Sequence, residues 1–417
     1  MARRVRRSRL TDSLTLRGRS FLAAGLALVA CGVVIGFPDI TRLGVLVAGL
    51  PLLVLLVASR QQLAFATARE VHPAVVPMDQ WCDVHLRLRN PGPGRTPILM
   101  AQEQVDYALG DRPRFVIPRM APDAEHQVSY RVRSSVRGRH QLGPLGLRIK
   151  DPFEMTLRLA AVPGTGEVIV LPRLVDLSGG ALTGGLGNEG TIPHLIALHG
   201  EDDVSVREYR DGDDLRHIHW PATARTGELM VRQEDRPATR RIVILLDDRA
   251  SSGHEQRSAS AFEWAVTAAA SIANLVIDGG THTHLILAGE AHAGFGGEQL
   301  RPERALTALA VAELHDPATF SASVRLAGDA AGAGSTCIAV LAAMDDAEID
   351  AVARIRPPGS PGLAFVTPIA EDGRGPDPHA CAARLRERGW SAVVVEVGTS
   401  VAAAWSQARA GSMSATR

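Results

Sequence analysis

Two uncharged apolar runs lie close together near the start of the chain, residues 20–37 (SFLAAGLALVACGVVIGF) and 43–58 (LGVLVAGLPLLVLLVA). Neither has a polar face, which sets both apart from helices buried in a soluble core. Each is near the lower limit for crossing about 30 Å of hydrocarbon at about 1.5 Å per residue. Five residues between them, Pro38-Asp39-Ile40-Thr41-Arg42, can only turn the chain back. Residues 20–58 therefore read as a two-helix transmembrane hairpin. Pro51, inside the second and shorter run, is its weakest point.

The period then changes. Cys82, Val84, Leu86 and Leu88 alternate with Asp83, His85, Arg87 and Arg89, as on a half-buried strand. Asn90-Pro91-Gly92-Pro93-Gly94 breaks that strand. Val128, Tyr130 and Val132 alternate in the same way, as do Leu145, Leu147 and Ile149, and Val168–Leu171 closes the region. Short strands punctuated by Pro and Gly predict a β-sandwich over residues 65–172. Its histidines, His85, His126 and His140, lack metal-ligand spacing and read as surface or turn residues. The domain reads as a spacer or binding module.

Beyond residue 238 strands and helices alternate. Ile242–Leu246 is an apolar run suited to a parallel strand buried on both faces. Ser260-Ala261-Phe262-Glu263 has capping-box spacing and opens a helix to about Ile277. A strand at His284–Leu287 follows, and Pro302 suits the first turn of a helix through Leu314. Strands at Thr336–Leu341, Leu363–Thr367 and Ala392–Val397 alternate with helices near Asp346–Arg354 and His379–Arg388. The pattern predicts a doubly wound α/β domain over 238–400, with ligands expected at the strand C-terminal ends. Residues 401–417 read as a flexible tail.

Charge adds a topology. The net charge is zero, which argues against nucleic acid as a partner. Locally, Arg3, Arg4, Arg6, Arg7, Arg9, Arg17 and Arg19 face only Asp12 within residues 1–19. That basic N-terminus stays on the cytoplasmic side, and Arg60 and Arg69 return the chain there after the second helix. The expectation is a multi-pass cell-membrane protein whose soluble domains are cytoplasmic. Four scattered cysteines, Cys31, Cys82, Cys337 and Cys381, form neither a disulfide framework nor a zinc site and read as buried thiols. Leu28-Val29-Ala30-Cys31 resembles a lipoprotein processing site, but the apolar sequence that follows argues against cleavage there.

The most unusual stretch is residues 201–236, where Asp202, Asp203, Glu208, Asp211, Asp213 and Asp214 interleave with Arg207, Arg210, Arg216, Arg225 and Arg232. Guanidinium forks match carboxylates, so an ion-pair network pinned by buried Tyr209 and Trp220 is expected, with a partner-docking surface as the alternative. His217 and His219, two apart, would share a strand face as polar neighbours of that network.

The run Arg207-Glu208-Tyr209, Gly212-Asp213-Asp214, Arg216, Ile218-His219-Trp220 and Arg225 strongly resembles the signature of bacterial domain-of-unknown-function family fifty-eight. Arg137-Gly138-Arg139-His140-Gln141-Leu142-Gly143-Pro144 and Asp151-Pro152-Phe153 are similar to that family too. The resemblance implies that the C-terminal domain is von Willebrand A-like, with a Rossmann-like fold. It also implies an adaptor or assembly factor for an unknown client, partnered by a MoxR-type AAA+ ATPase, and carries no enzymatic activity. The family commonly has Asp where this chain has His219.

An A-domain carries its metal motif, D-x-S-x-S, after the first strand. Here the stretch reads Asp247-Asp248-Arg249-Ala250-Ser251, with Arg249 in place of the middle Ser. A fixed cation beside a divalent ion is unfavourable and a hydroxyl ligand is lost. Asp247, Ser251 and Asp345 are the residues at stake for a Mg²⁺ site. No phosphate loop or G-x-S-x-G elbow is present. The leading expectation is thus a non-enzymatic, membrane-anchored interaction protein without a cofactor. The alternative is a metal-dependent enzyme or metal-gated adhesion module.

Overall fold

In the computed structural model the apolar runs become α1 (Leu16–Ile35) and α2 (Pro38–Arg60). The structure describes residues 14–60, 64–178, 206–209, 218–232, 241–250, 259–293, 299–369 and 375–414, in two units that meet at Leu171 and Pro172. Both helices are long and apolar enough to cross a membrane. They are longer than the apolar runs, and the turn is shorter than the five residues expected. Gly36 ends α1 in the left-handed region (φ 79°), and Pro38, with its fixed φ, starts α2 two residues later. Asp39 and Arg42, assigned to a loop from sequence, pair at 3.0 Å within the first turn of α2.

Glycine lets the two helices touch. A Cβ on Gly25 would lie 2.4 Å from the Ala48 amide nitrogen, and one on Gly44 would lie 2.6 Å from that of Val29. Gly25→Leu is therefore expected to splay the hairpin, at a cost of about 1–3 kcal/mol or more for overpacking. Pulsed-EPR distances between labels on α1 and α2 should lengthen by several ångströms. Gly49→Leu, where a Cβ meets nothing within 4 Å, should leave them unchanged.

The rest of this unit is β-structure. Strands β1 (Ala66–His72), β3 (Cys82–Arg89) and β6 (Glu125–Val132) form one antiparallel sheet in the order β1-β3-β6. The second sheet runs β2 (Val75–Pro77), β9 (Gly166–Leu171), β7 (Gly138–Lys150), β4 (Leu99–Val105), β5 (Arg114–Ile117), with β8 (Leu157–Val162) also paired to β7. The alternation read from β3 holds: Cys82, Val84, Leu86 and Leu88 are buried. Leu86 and Leu88 join Leu99, Ala101, Ile117, Leu145 and Leu147 in one cluster, so the two sheets share a core.

Two polar groups enter that interior. Arg69 and Glu103 pair at 2.8 Å with side chains 1% and 0% exposed. Arg69 also donates to the Gly164 carbonyl at 2.7 Å, and a Cβ on Gly143 would stand 2.9 Å from its guanidinium carbon. His140 is a correction: it is buried in β7, not at the surface or in a turn. Its Nδ1 lies 3.1 Å from Asp106 Oδ2 and its Nε2 2.9 Å from the Val136 carbonyl, so both ring nitrogens are satisfied and burial is tolerated. That contact holds the Asp106 carboxyl below the usual carboxylate range.

In the second unit, β10 (Val206–Glu208) pairs with β11 (Met230–Arg232), and α3 (Trp220–Thr226) lies between them in the chain. The main sheet combines β12 (Arg241–Leu246), β13 (His282–Leu287), β14 (Glu290–His292), β15 (Thr336–Ala342), β16 (Gly362–Thr367) and β17 (Ser391–Val394). Its order is β14-β13-β12-β15-β16-β17, parallel except at β14. The strands are connected through α4 (Ala259–Asp278), α5 (Pro302–Ala310), α6 (Ala318–Ala330), α7 (Asp346–Ala353) and α8 (Pro378–Glu387). Helix α4 is also long and apolar enough to cross a membrane, but Phe262, Ala265, Val266, Ala269 and Ile272 are buried on it, so here it serves as a core helix.

Four local expectations change. Ser260 lies within the first turn of α4, which begins at Ala259. The helix opened by Pro302 stops at Ala310, and α6 follows where no helix was assigned. The supposed tail forms α9 (Val401–Ser414), because Val401, Ala404, Trp405 and Ala408 have apolar surface to bury. Trp405 stacks on Phe365 at 6.3 Å. Of the four cysteines, Cys82, Cys337 and Cys381 are buried as expected, whereas Cys31 is exposed on α1.

Candidate functional site

The most charged buried place among the described residues is the C-terminal end of β12. Asp247 follows that strand and is fully buried. Its Oδ2 accepts from the Ala342 amide at 2.9 Å and from Arg249 Nε at 3.2 Å, and its Oδ1 accepts from the Arg249 amide at 3.3 Å. Asp247 thus fastens the ends of the adjacent parallel strands β12 and β15. Arg249, also buried, extends its Nη1 to the carboxylate of Glu348 on α7, and its guanidinium carbon stands 4.3 Å from the centre of the Phe320 ring. Burial pulls the guanidinium down, but the two carboxylates outweigh it and hold it above its ordinary value. A cation–π contact and bonds from separate nitrogens to two carboxylates suit arginine's planar head.

The chain of contacts continues. Glu348 Oε2 accepts from the Asp345 amide at 3.3 Å, and Asp345 Oδ1 accepts from the Glu348 amide at 2.9 Å. This reciprocal capping box starts α7. Asp247 and Asp345, proposed from sequence as metal ligands, therefore belong to one network. They are linked through Arg249 and Glu348, and Asp345 is occupied in capping. Among the described residues no group of three His, Cys, Asp or Glu side chains has a metal-holding arrangement. Ser251, the third residue proposed, lies outside the described residues.

Asp248 points elsewhere. It is fully buried, neither carboxylate oxygen has a close hydrogen bond among the described residues, and His315 Nδ1 stands 3.3 Å from Oδ2. Burial pushes its carboxyl above the ordinary range, opposed by His315 and the Ala288 backbone. The two loops are zipped together, since Ala250 donates to the His315 carbonyl at 2.7 Å and His315 to that of Asp248 at 2.8 Å. Glu348, His315 and Phe320 were not singled out from sequence. They are far from the Asp-Asp-Arg run in the chain, and no local pattern marks them.

The signature stretch is described only in part. Arg207 and Glu208 lie in β10, and Tyr209, half-buried, donates its amide to the Leu229 carbonyl at 2.8 Å. Gly212, Asp213, Asp214, Arg216 and His217 lie outside the described residues. His219 does not share a strand face: it is the N-cap of α3, with Nδ1 accepting from the Ala222 amide at 3.2 Å. An aspartate there would fill the same role. Trp220 is 66% exposed rather than buried, because α3 buries none of its residues and offers no core for the ring to enter. Arg225 sits in the last turn of α3, where its charge complements the helix dipole.

Comparison with known proteins adds one firm result. No curated protein matches the chain. Three solved structures share slight likeness: a CARDB domain from Pyrococcus furiosus (11% identity, TM-score 0.20, 26% of this chain and 93% of that one); the Pseudomonas fluorescens alkylpurine DNA glycosylase AlkC (15%, 0.18, 32% and 38%); and a β-glucosidase from Erythrobacter marinus (11%, 0.16, 26% and 16%). At such scores none bears on fold or function. Residues 205–350, by contrast, match the model of the family described as protein of unknown function DUF58. That span holds both the Arg207–Arg225 signature and the Asp247–Arg249–Glu348 network, so the likeness to the DUF58 family lies in this part of the chain.

Proposed function

We propose that this protein is a membrane-tethered, non-enzymatic interaction platform. The observation that carries the reading is Arg249: its guanidinium joins the carboxylates of Asp247 and Glu348 at the strand ends, where a ligand or metal would otherwise be held. A side chain locked between two carboxylates and an aromatic ring stiffens that end of the sheet and leaves those carboxylates engaged. In this reading the second unit is a von Willebrand A-like domain that binds through its surface, and the β-rich unit is a sandwich that serves as a spacer or binding module. The hairpin is multi-pass with both ends cytoplasmic, supported by the arginines of residues 1–19 and by Arg60 and Arg69.

The partner class follows from the family resemblance: a MoxR-type AAA+ ATPase acting on a client protein. Affinity capture of the full-length protein from membranes, with crosslinking, tests it. The wild type should recover a AAA+ ATPase identified by mass spectrometry, and Arg207→Ala/Asp213→Ala should recover several-fold less. A wild type that recovers none removes the reading's main support.

Asp248 favours a second reading, a divalent-metal-dependent activity, because its buried oxygens have no close hydrogen bond among the described residues and His315 stands beside it. Saturable stabilisation of the wild type by Mg²⁺, abolished by Asp247→Ala, would favour that reading over the first.

A further inference from the structure

We propose that the turn Asp151–Thr156 is an interfacial foot, seating Phe153 in the headgroup region of the bilayer that the hairpin crosses. The inference rests on the hairpin's being membrane-spanning. The turn is closed on itself: Asp151 accepts from the Phe153 amide at 2.8 Å, from the Thr156 hydroxyl at 2.9 Å and from the Thr156 amide. Glu154 takes the left-handed conformation (φ 55°). With its polar groups turned inward, the turn leaves Phe153 59% exposed at its tip. A lone exposed phenyl ring is ordinary on a protein surface; what singles this one out is where the turn holds it.

Its height relative to the membrane is set by direct contacts. The Thr15 amide donates to the Met155 carbonyl at 2.9 Å, and the Thr15 hydroxyl donates to that of Glu154 at 2.6 Å. A Cβ on Gly18 would sit 2.4 Å from the Met155 carbonyl oxygen, so the turn lies flush against the first turn of α1. On the second helix, at the same open end of the hairpin, Arg158 donates to the Ala58 carbonyl. Residues 154–158 thus bridge the start of α1 and the end of α2, the open end of a helix pair each about as long as the hydrocarbon is thick. That level is the membrane–water interface.

The surrounding chemistry suits that place. Glu154 is paired with Arg17 at 2.9 Å and with Lys150 at 3.4 Å, so this trio carries a net positive charge beside the phenyl ring. Leu159, next to Arg158, is 57% exposed. Aromatic and aliphatic tips flanked by basic side chains partition to the headgroup–acyl boundary and favour anionic lipid.

Spin labelling of the full-length protein tests the proposal, in nanodiscs of mixed phosphatidylcholine and phosphatidylglycerol. With Cys31→Ala as background, the label is placed by Phe153→Cys, Leu46→Cys or Tyr107→Cys, all at exposed positions. The native thiols of Cys82, Cys337 and Cys381 are buried, and burial pushes the first two up to about 11 and about 12, so they do not compete for label at neutral pH. Collision with oxygen relative to a water-soluble nickel chelate should be several-fold higher at 153 than at 107. A label at 153 as open to nickel as that at 107, with 46 in lipid, overturns the inference alone. A label at 46 that is open to nickel overturns the hairpin reading and the inference with it.

Discussion

Glu103→Ala is expected to destabilise the β-rich unit by about 3–5 kcal/mol, the cost of stranding one member of a buried ion pair. Arg69 would keep its bonds to Gly164 and Thr67 but lose its ion-pair contact at 2.8 Å, with a side chain just 1% exposed. Hydrogen exchange of the full-length protein, read on β3 and β7, measures the loss as faster opening. Replacing both partners, Arg69→Met with Glu103→Leu, should recover most of it, because two apolar groups leave no charge behind. Equal losses in the single and double variants would show that the site matters for shape rather than charge.

The same residue predicts a pH effect of definite sign. Burial, opposed by the Arg69 contact, holds Glu103 above its ordinary value of 4.5. The native state then holds that proton more tightly than the unfolded chain. Its contribution is most favourable below the unfolded pKa, falls as pH rises through the window up to the raised native value, and is level above it. Glu103→Gln should flatten that part of the stability–pH curve.

The second large effect is at Arg249. Arg249→Ser removes the guanidinium from between Asp247 and Glu348 and from the face of Phe320. Asp247, wholly buried, loses the charge of Arg249, which should again cost about 3–5 kcal/mol. Thermal unfolding of the full-length protein would register the loss as a lower midpoint. Because the freed carboxylates regain balance from a cation, millimolar Mn²⁺ should raise the midpoint of Arg249→Ser while leaving the wild type where it was. A wild type that shifts as far as the variant would show that Arg249 does not stand in the way of metal, and would favour the Asp248 reading.

These two pairs illustrate how differently the sequence and the fold contribute. Periodicity alone was enough for the apolar helices, for the alternation along β3 and for most strands and helices beyond residue 238, though not for α6 or α9. Each of those is a local property, written in side chains within a few residues of one another. The Asp247-Asp248-Arg249 run was also legible as a concentration of charge at the end of the first strand, because its members are adjacent in the chain. The likeness to the DUF58 family rests on a contiguous stretch and was readable for the same reason.

What tertiary structure decided lies at long range. Arg249 meets Glu348 only because β12 and β15 pair in parallel and carry α7 to the same edge of the sheet. His140 is buried because Asp106, on a neighbouring stretch, supplies the partner that makes burial tolerable. Trp220 stays exposed because α3 finds no core to enter, and residues 401–414 become helix because Phe365 offers Trp405 a surface to stack on. The Asp151-Pro152-Phe153 turn, legible only as a motif, acquires its place against Thr15 through contacts across 139 residues. Local pattern determines which elements form. Desolvation and strand register, which depend on the whole packed chain, determine which charges pair and which side chains remain exposed.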